Sequence, residues 1–159
     1  MIKKETMKGI IIYASFHHKN TEKIARAMGS VLGAKTIDFT EAGGQELLGA
    51  GLIGFGSGIY YGKFHKGLLN FAKNLPETNG QKAFIFSTAG VKQIPFLNSG
   101  HKSIREILRA KNFNIVGEFD CPGYDTNSLL KCFGGINGGR PNKEDIKRAK
   151  DFARGLCRM

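Results

Sequence analysis

The chain has 159 residues, 22 glycines and a formal net charge of +11, a size that suits one domain over residues 1–159 with a sizeable core. No apolar run approaches the ~18–20 residues that a membrane span needs, and no apolar h-region follows Met1-Ile2-Lys3-Lys4, so neither a membrane span nor a secretory signal is expected. Cys121, Cys132 and Cys157 are odd in number and form no CxxC, so they read as reduced thiols of a cytoplasmic protein rather than a disulfide or metal set.

The elements follow in chain order. Gly9–Ala14 is a β-branched run read as a buried strand. Ile24, Met28, Val31 and Leu32 recur at helical spacing, and Gly33 is placed to end that helix. Residues 34–39 read as a second strand, and residues 40–48 as a loop with at most a short helix. Residues 50–56 form a third strand. Phe64, Leu68, Phe71, Ala72 and Leu75 make a second apolar helix face, closed off by Pro76. Residues 82–87 and 114–120 are the remaining strands, with a helix carried by Ile104, Ile107 and Leu108 between them. Asn142 and Asp145 have the spacing of a capping box, and Ile146, Ala149, Ala153 and Leu156 supply the stripe of a last helix. Residues 121–141 are rich in glycine and fit no element, and a loop of that length is expected to be functional.

Strands that alternate with helices, several of them apolar throughout, predict a sheet covered on both faces. The expected fold is a three-layer, doubly wound, five-stranded parallel sheet with right-handed crossovers. In such a sheet ligands bind beyond the carboxyl ends of the strands. The turn after the first strand, Ser15-Phe16-His17-His18-Lys19-Asn20-Thr21, lies at such an end and opens a helix. Its free N–H groups, positive dipole end and hydroxyls suit an anion, and phosphate is the anion they fit best. There is no GxxxxGK[ST] and no GxGxxG after the strand, so neither a P-loop nor the dinucleotide fingerprint is present. Adjacent His17 and His18 lack a nearby Cys or carboxylate to complete a metal site.

This turn resembles the FMN phosphate loop of the flavodoxin family, with Asn20-Thr21 matching the end of its [ST]-x-T-G-N-T pattern and Lys19 standing where glycine is usual. A second similarity lies in residues 56–65, Gly-Ser-Gly-Ile-Tyr-Tyr-Gly-Lys-Phe-His, which follow the third strand where flavodoxins pack a loop on the flavin ring. The segment is closely similar to the corresponding loop of flavodoxin-like protoporphyrinogen oxidase. A third is Ser87-Thr88-Ala89-Gly90 after the fourth strand, where the family places its other ring-contacting loop. The resemblance implies the strand order 2-1-3-4-5 and non-covalent FMN. It implies cofactor contacts from Ser15, His17, His18, Lys19, Asn20 and Thr21 to the phosphate, and from Ser57, Gly58, Ile59, Tyr60, Tyr61, Ser87, Thr88, Ala89, Gly90 and Tyr124 to the ring. Of the tyrosines, Tyr60 is favoured for stacking.

No Ser–His–Asp or Cys–His set stands at recognisable local spacing, and Asp120, Asp125 and His101 look scattered, so no catalytic residue is assigned from the sequence. Two functions fit the resemblance. One is a carrier that moves electrons between protein partners. The other is an FMN-dependent reductase acting on a quinone or another small oxidant. The positive charge is dispersed over helix faces and forms no compact tract, and no RNP, KH or helix-turn-helix pattern is present, which argues against nucleic acid. Its sign points to partners with acidic docking surfaces.

Overall fold

A computed structural model describes residues 8–16, 19–89, 100–122 and 141–159. The elements are β1 (Gly9–Ala14), α1 (Asn20–Leu32), β2 (Lys35–Asp38), α2 (Gly44–Leu48), β3 (Leu52–Tyr60), β4 (Lys63–Phe64), α3 (Lys66–Lys73), β5 (Lys82–Ala89), α4 (Lys102–Ala110), β6 (Asn114–Pro122) and α5 (Lys143–Cys157). The sheet order is β2-β1-β3-β5-β6 with every neighbouring pair parallel, and β4 adds antiparallel to β3. Counting the parallel strands alone, this is the expected 2-1-3-4-5.

Side chains that alternate along each strand divide into two cores. Ile12, Ile53, Phe55 and Ile85 join Leu68, Ala72, Ile104 and Leu108 on the α3–α4 side. Ile11, Tyr13, Phe84, Phe86 and Phe119 join Ile24, Met28, Ala149 and Ala153 on the α1–α5 side. Burial on both faces is the reason the central strands are apolar throughout. Gly54 and Gly56 of β3 face Phe84 and Phe86 of β5 in register. A side chain at either glycine would overlap the phenyl ring opposite, so these positions stay bare and the rings lie across β3.

Local signals set the helix ends. Gly33 closes α1 in the left-handed region at φ 62°, its N–H donating to the Gly29 carbonyl. Asn142 and Asp145 form the expected capping box in both directions, a feature worth about 1 kcal/mol. At β6 the register slips between Ala83 and Phe84, which leaves Val116 as a bulge.

Several strand ends shift by one to three residues, and the largest departures from the sequence expectation lie around the third strand. β3 continues to Tyr60, the chain reverses at Tyr61-Gly62, and Phe64 lies in β4 rather than in a helix. Both turn residues have positive φ (50° and 78°), the geometry that a two-residue hairpin of matching twist requires. Phe64 is buried in the same core as Leu68, so a strand residue mimics helical spacing. α3 starts at Lys66, because the His65 side chain caps it by accepting the Gly67 N–H at 3.1 Å.

Candidate functional site

Parallel register brings three strand ends together. Ala14 of β1 pairs with Ser57 of β3, which pairs with Ser87 of β5, and Gly58 pairs with Thr88. The chain therefore leaves β1, β3 and β5 at adjacent points on one rim.

In the first turn the backbone at Lys19 is left-handed, φ 53° and ψ 34°. Glycine adopts this conformation without steric cost; a lysine pays about 1–2 kcal/mol. Lys19 therefore holds a backbone conformation that suits glycine and places an exposed cation at the mouth of α1. Lys19 gives α1 no side-chain cap. Ser15 supplies one from across the turn instead, its Oγ accepting the Glu22 N–H at 3.1 Å. Thr21 is buried, and its hydroxyl meets that of Thr88 at 2.9 Å. That bond ties the start of α1 to the end of β5. Each hydroxyl carries one hydrogen, so the contact between them uses one donor of the two.

On β3, Ser57 is fully buried and its hydroxyl stabilises the hairpin. It donates to the Gly58 carbonyl at 2.6 Å and accepts the His65 N–H at 2.9 Å. Tyr60 folds back over Gly58, the backbone of Phe16 hydrogen-bonds its hydroxyl, and its ring meets His65 edge-on at 5.7 Å. Burial raises the Tyr60 phenol pKa against the lowering effect of the Phe16 backbone. Tyr61 is fully exposed at the turn. His65 also stacks on Phe16 at 4.6 Å and lies 5.4 Å from Phe39.

The structure gathers Ser15, Lys19, Asn20 and Thr21 at the first turn, Ser57 to Tyr61 at the hairpin, and Ser87, Thr88 and Ala89 at the end of β5. His17, His18, Gly90 and Tyr124, and most of residues 121–141, lie outside the described residues. Among the described residues no group of three His, Cys, Asp or Glu side chains is arranged to hold a metal ion.

One cluster escaped the sequence reading. Ser87, fully buried, lies 2.7 Å through Oγ from Nε2 of the buried His101, whose Nδ1 lies 3.0 Å from Glu118 Oε1. Arg105 donates to both oxygens of Glu118, at 2.8 and 3.1 Å. The spacing of 87, 101, 105 and 118 carries no local pattern. The one signal is the alternation of Glu118 and Asp120 with Phe119 and Cys121, which puts charge on one face of β6.

Burial lowers the pKa of both His65 and His101 below the usual 6.5. Burial works to raise the Glu118 carboxyl, but hydrogen bonds from Arg105 and His101 outweigh it and hold the carboxyl below the usual 4.5. An unfolded histidine binds a proton more readily than these two. Their contribution to stability is therefore full above about pH 6.5 and is lost as the pH falls through their lowered folded values. Protonating His65 also removes its cap on α3. The melting temperature of the cofactor-free protein is expected to hold steady from about pH 8 to 7 and to drop towards pH 5. A flat profile across that lower range would show that neither histidine is held neutral.

Comparison with known proteins adds sequence and fold relatives. The family described as the flavodoxin domain matches residues 10–126. An uncharacterized protein of Methanocaldococcus jannaschii is 48% identical over 153 residues, covering 96% of this chain and 99% of that protein. Among solved structures, oxidised Flavodoxin 2 from Bacillus cereus is similar at TM-score 0.70 and 19% identity, over 95% of this chain and 98% of that one. A flavodoxin from the domain Archaea gives TM-score 0.63 and 20% identity, over 94% and 96%. Rubredoxin oxygen:oxidoreductase from Desulfovibrio gigas gives 0.65 and 18%, over 95% of this chain but 35% of that chain.

Proposed function

This chain belongs to the flavodoxin domain family, and from that premise we propose that it is an FMN-binding electron carrier serving protein partners in the cytoplasm. The observation that carries the proposal is the Thr21–Thr88 hydrogen bond, which joins the first turn to the end of β5.

The donor set fits the cofactor. The N-terminal end of α1 and the exposed Lys19 favour a phosphate dianion, and Asn20, Thr21 and Ser15 stand around the same turn. Ser57, Gly58, Ile59, Tyr60 and Tyr61 on one side and Ser87, Thr88 and Ala89 on the other would flank the ring, with His17 and His18 on the phosphate and Gly90 and Tyr124 on the ring. Bound FMN supplies the redox chemistry; the protein orients it and sets its electrostatics. Tyr60 offers a ring face held by His65 and by the Phe16 backbone. Lys19, Lys23, Lys63 and Lys66 are exposed around the first turn and the hairpin. That charge would draw acidic docking surfaces, with association rates that fall as salt is added.

The test is direct. Added FMN should lose its fluorescence on the protein, and inorganic phosphate should compete with it. Tyr60→Ala should weaken binding and shift the flavin absorption band, and Tyr61→Ala should do less. Undiminished flavin fluorescence at high protein concentration would overturn the proposal. The loaded protein should pass electrons to acceptor proteins; sustained NAD(P)H-dependent turnover of a quinone would favour the reductase reading instead.

A further inference from the structure

The Ser87–His101–Glu118–Arg105 cluster takes no part in holding a phosphate, yet it ends at the rim where β5 leaves the sheet. With His101 neutral, its hydrogens have one consistent assignment. Glu118, held by Arg105 through both oxygens, is a carboxylate and only accepts. The hydrogen between it and His101 therefore sits on Nδ1. Neutral His101 then has a bare Nε2, and the Ser87 hydroxyl donates to it across 2.7 Å. A proton added at Nε2 reverses that last link. Nε2–H donates to Ser87 Oγ, and the hydroxyl hydrogen of Ser87 must turn to another acceptor.

The surroundings pull His101 in both directions, and burial prevails to favour the neutral ring. Glu118 and Asp120 of β6 favour the imidazolium, while burial and Arg105 of α4 oppose it. From β4 the uncharged Phe64 ring meets it edge-on at 5.5 Å, and from β5 it meets Ser87. The His101 side chain is 9% exposed, and that of Glu118 is 31% exposed, so the cluster runs from the partly wet edge of β6 to the buried end of β5.

We propose that His101 is the proton-accepting group of this site: when an electron adds negative charge beyond the end of β5, a proton from solvent binds Nε2, and the Ser87 hydroxyl turns from His101 towards that charge. The inference rests on the FMN reading. The electron comes from an external one-electron reductant and remains with the cofactor. The proton comes from water or buffer and remains on His101, and both depart on reoxidation. His101 is a positioning residue, acting through Ser87 and through its own charge. The same contacts follow the order of a Ser–His–acid nucleophilic set. On the FMN reading, however, the buried Ser87 hydroxyl faces the bound ring, which leaves an electrophile no approach to it.

Imidazole nitrogen NMR on the full chain tests this, with His101→Gln identifying the His101 signals. At pH 7 His101 should be the neutral Nδ1–H form in the cofactor-free and FMN-loaded oxidised protein, and its titration midpoint should rise once dithionite has reduced the cofactor. Between the two midpoints the FMN reduction equilibrium should change tenfold per pH unit, about 59 mV for one electron. His101→Gln should bind FMN yet lose that slope. An imidazole signal unmoved by reduction, a slope that survives in His101→Gln, or labelling of Ser87 by an organofluorophosphonate would each overturn the proposal. If His101→Gln does not fold, the wild-type titration decides alone. A yellow complex with His101 unmoved brings down this inference only; a protein that takes up no FMN brings down the FMN reading and this inference with it.

Discussion

Replacing Phe86 by alanine is expected to remove about 3–5 kcal/mol of stability, the range for deleting a fully enclosed phenyl ring. Phe86 is fully buried, and its ring lies across the bare backbone of Gly56 on the neighbouring strand. Nothing at Gly56 can lean in to fill the cavity, so the site should collapse poorly. The converse substitution, Gly56→Ala, puts a methyl group into the ring and should cost about 1–3 kcal/mol or more through overpacking. The two changes touch the same space, so the double variant should lose less than the sum of the singles. Urea midpoints of the cofactor-free protein measure all three. A loss below about 1 kcal/mol for Phe86→Ala would mean the ring is not packed on β3. The effect reaches the site, because β3 and β5 hold the rim on which the hairpin and the Thr88 segment stand.

The second large effect concerns cofactor affinity. Thr21→Val removes a hydroxyl from the Thr21–Thr88 pair while keeping the side-chain shape. A hydrogen bond to a charged oxygen is worth about 1.5–3 kcal/mol, so FMN should bind about ten- to a hundredfold more weakly. Thr88→Val should weaken it comparably, because either loss breaks the same contact. The double variant should then be sub-additive. Flavin fluorescence gives the dissociation constants, and unchanged affinity in both single variants would remove the pair from the cofactor site.

The physics of each feature explains how much of it could be read in advance. β1 and the α5 capping box were legible to the residue, because a run buried on both faces and a side-chain cap are written in adjacent letters. β4 was not. Its turn is Tyr61-Gly62 rather than the Asn-Gly that announces a two-residue hairpin, and the burial of Phe64 beside Leu68 imitates a helix. Lys19 departs from the glycine of the family pattern, yet its backbone keeps the left-handed conformation that glycine permits. The Ser87–His101–Glu118 cluster was illegible for a different reason: its members come from β5, the start of α4 and β6, and only the parallel crossover brings them within hydrogen-bond reach. Of the residues expected to contact FMN, those described converge on three adjacent strand ends, which the strand order alone foretells.

The two outer strands carry a consequence for behaviour at high concentration. An open strand edge is a template on which another chain can add by backbone hydrogen bonding. Here one outer strand, β2, has four residues and carries the exposed Lys35. The other, β6, is interrupted by the bulge at Val116 and holds Glu118 turned in towards Arg105 and His101. A short edge, a lysine, a bulge and an inward carboxylate each oppose the growth of the sheet into a neighbouring molecule. The positive charge that copies of this chain share adds a repulsion between molecules that acts in the same direction.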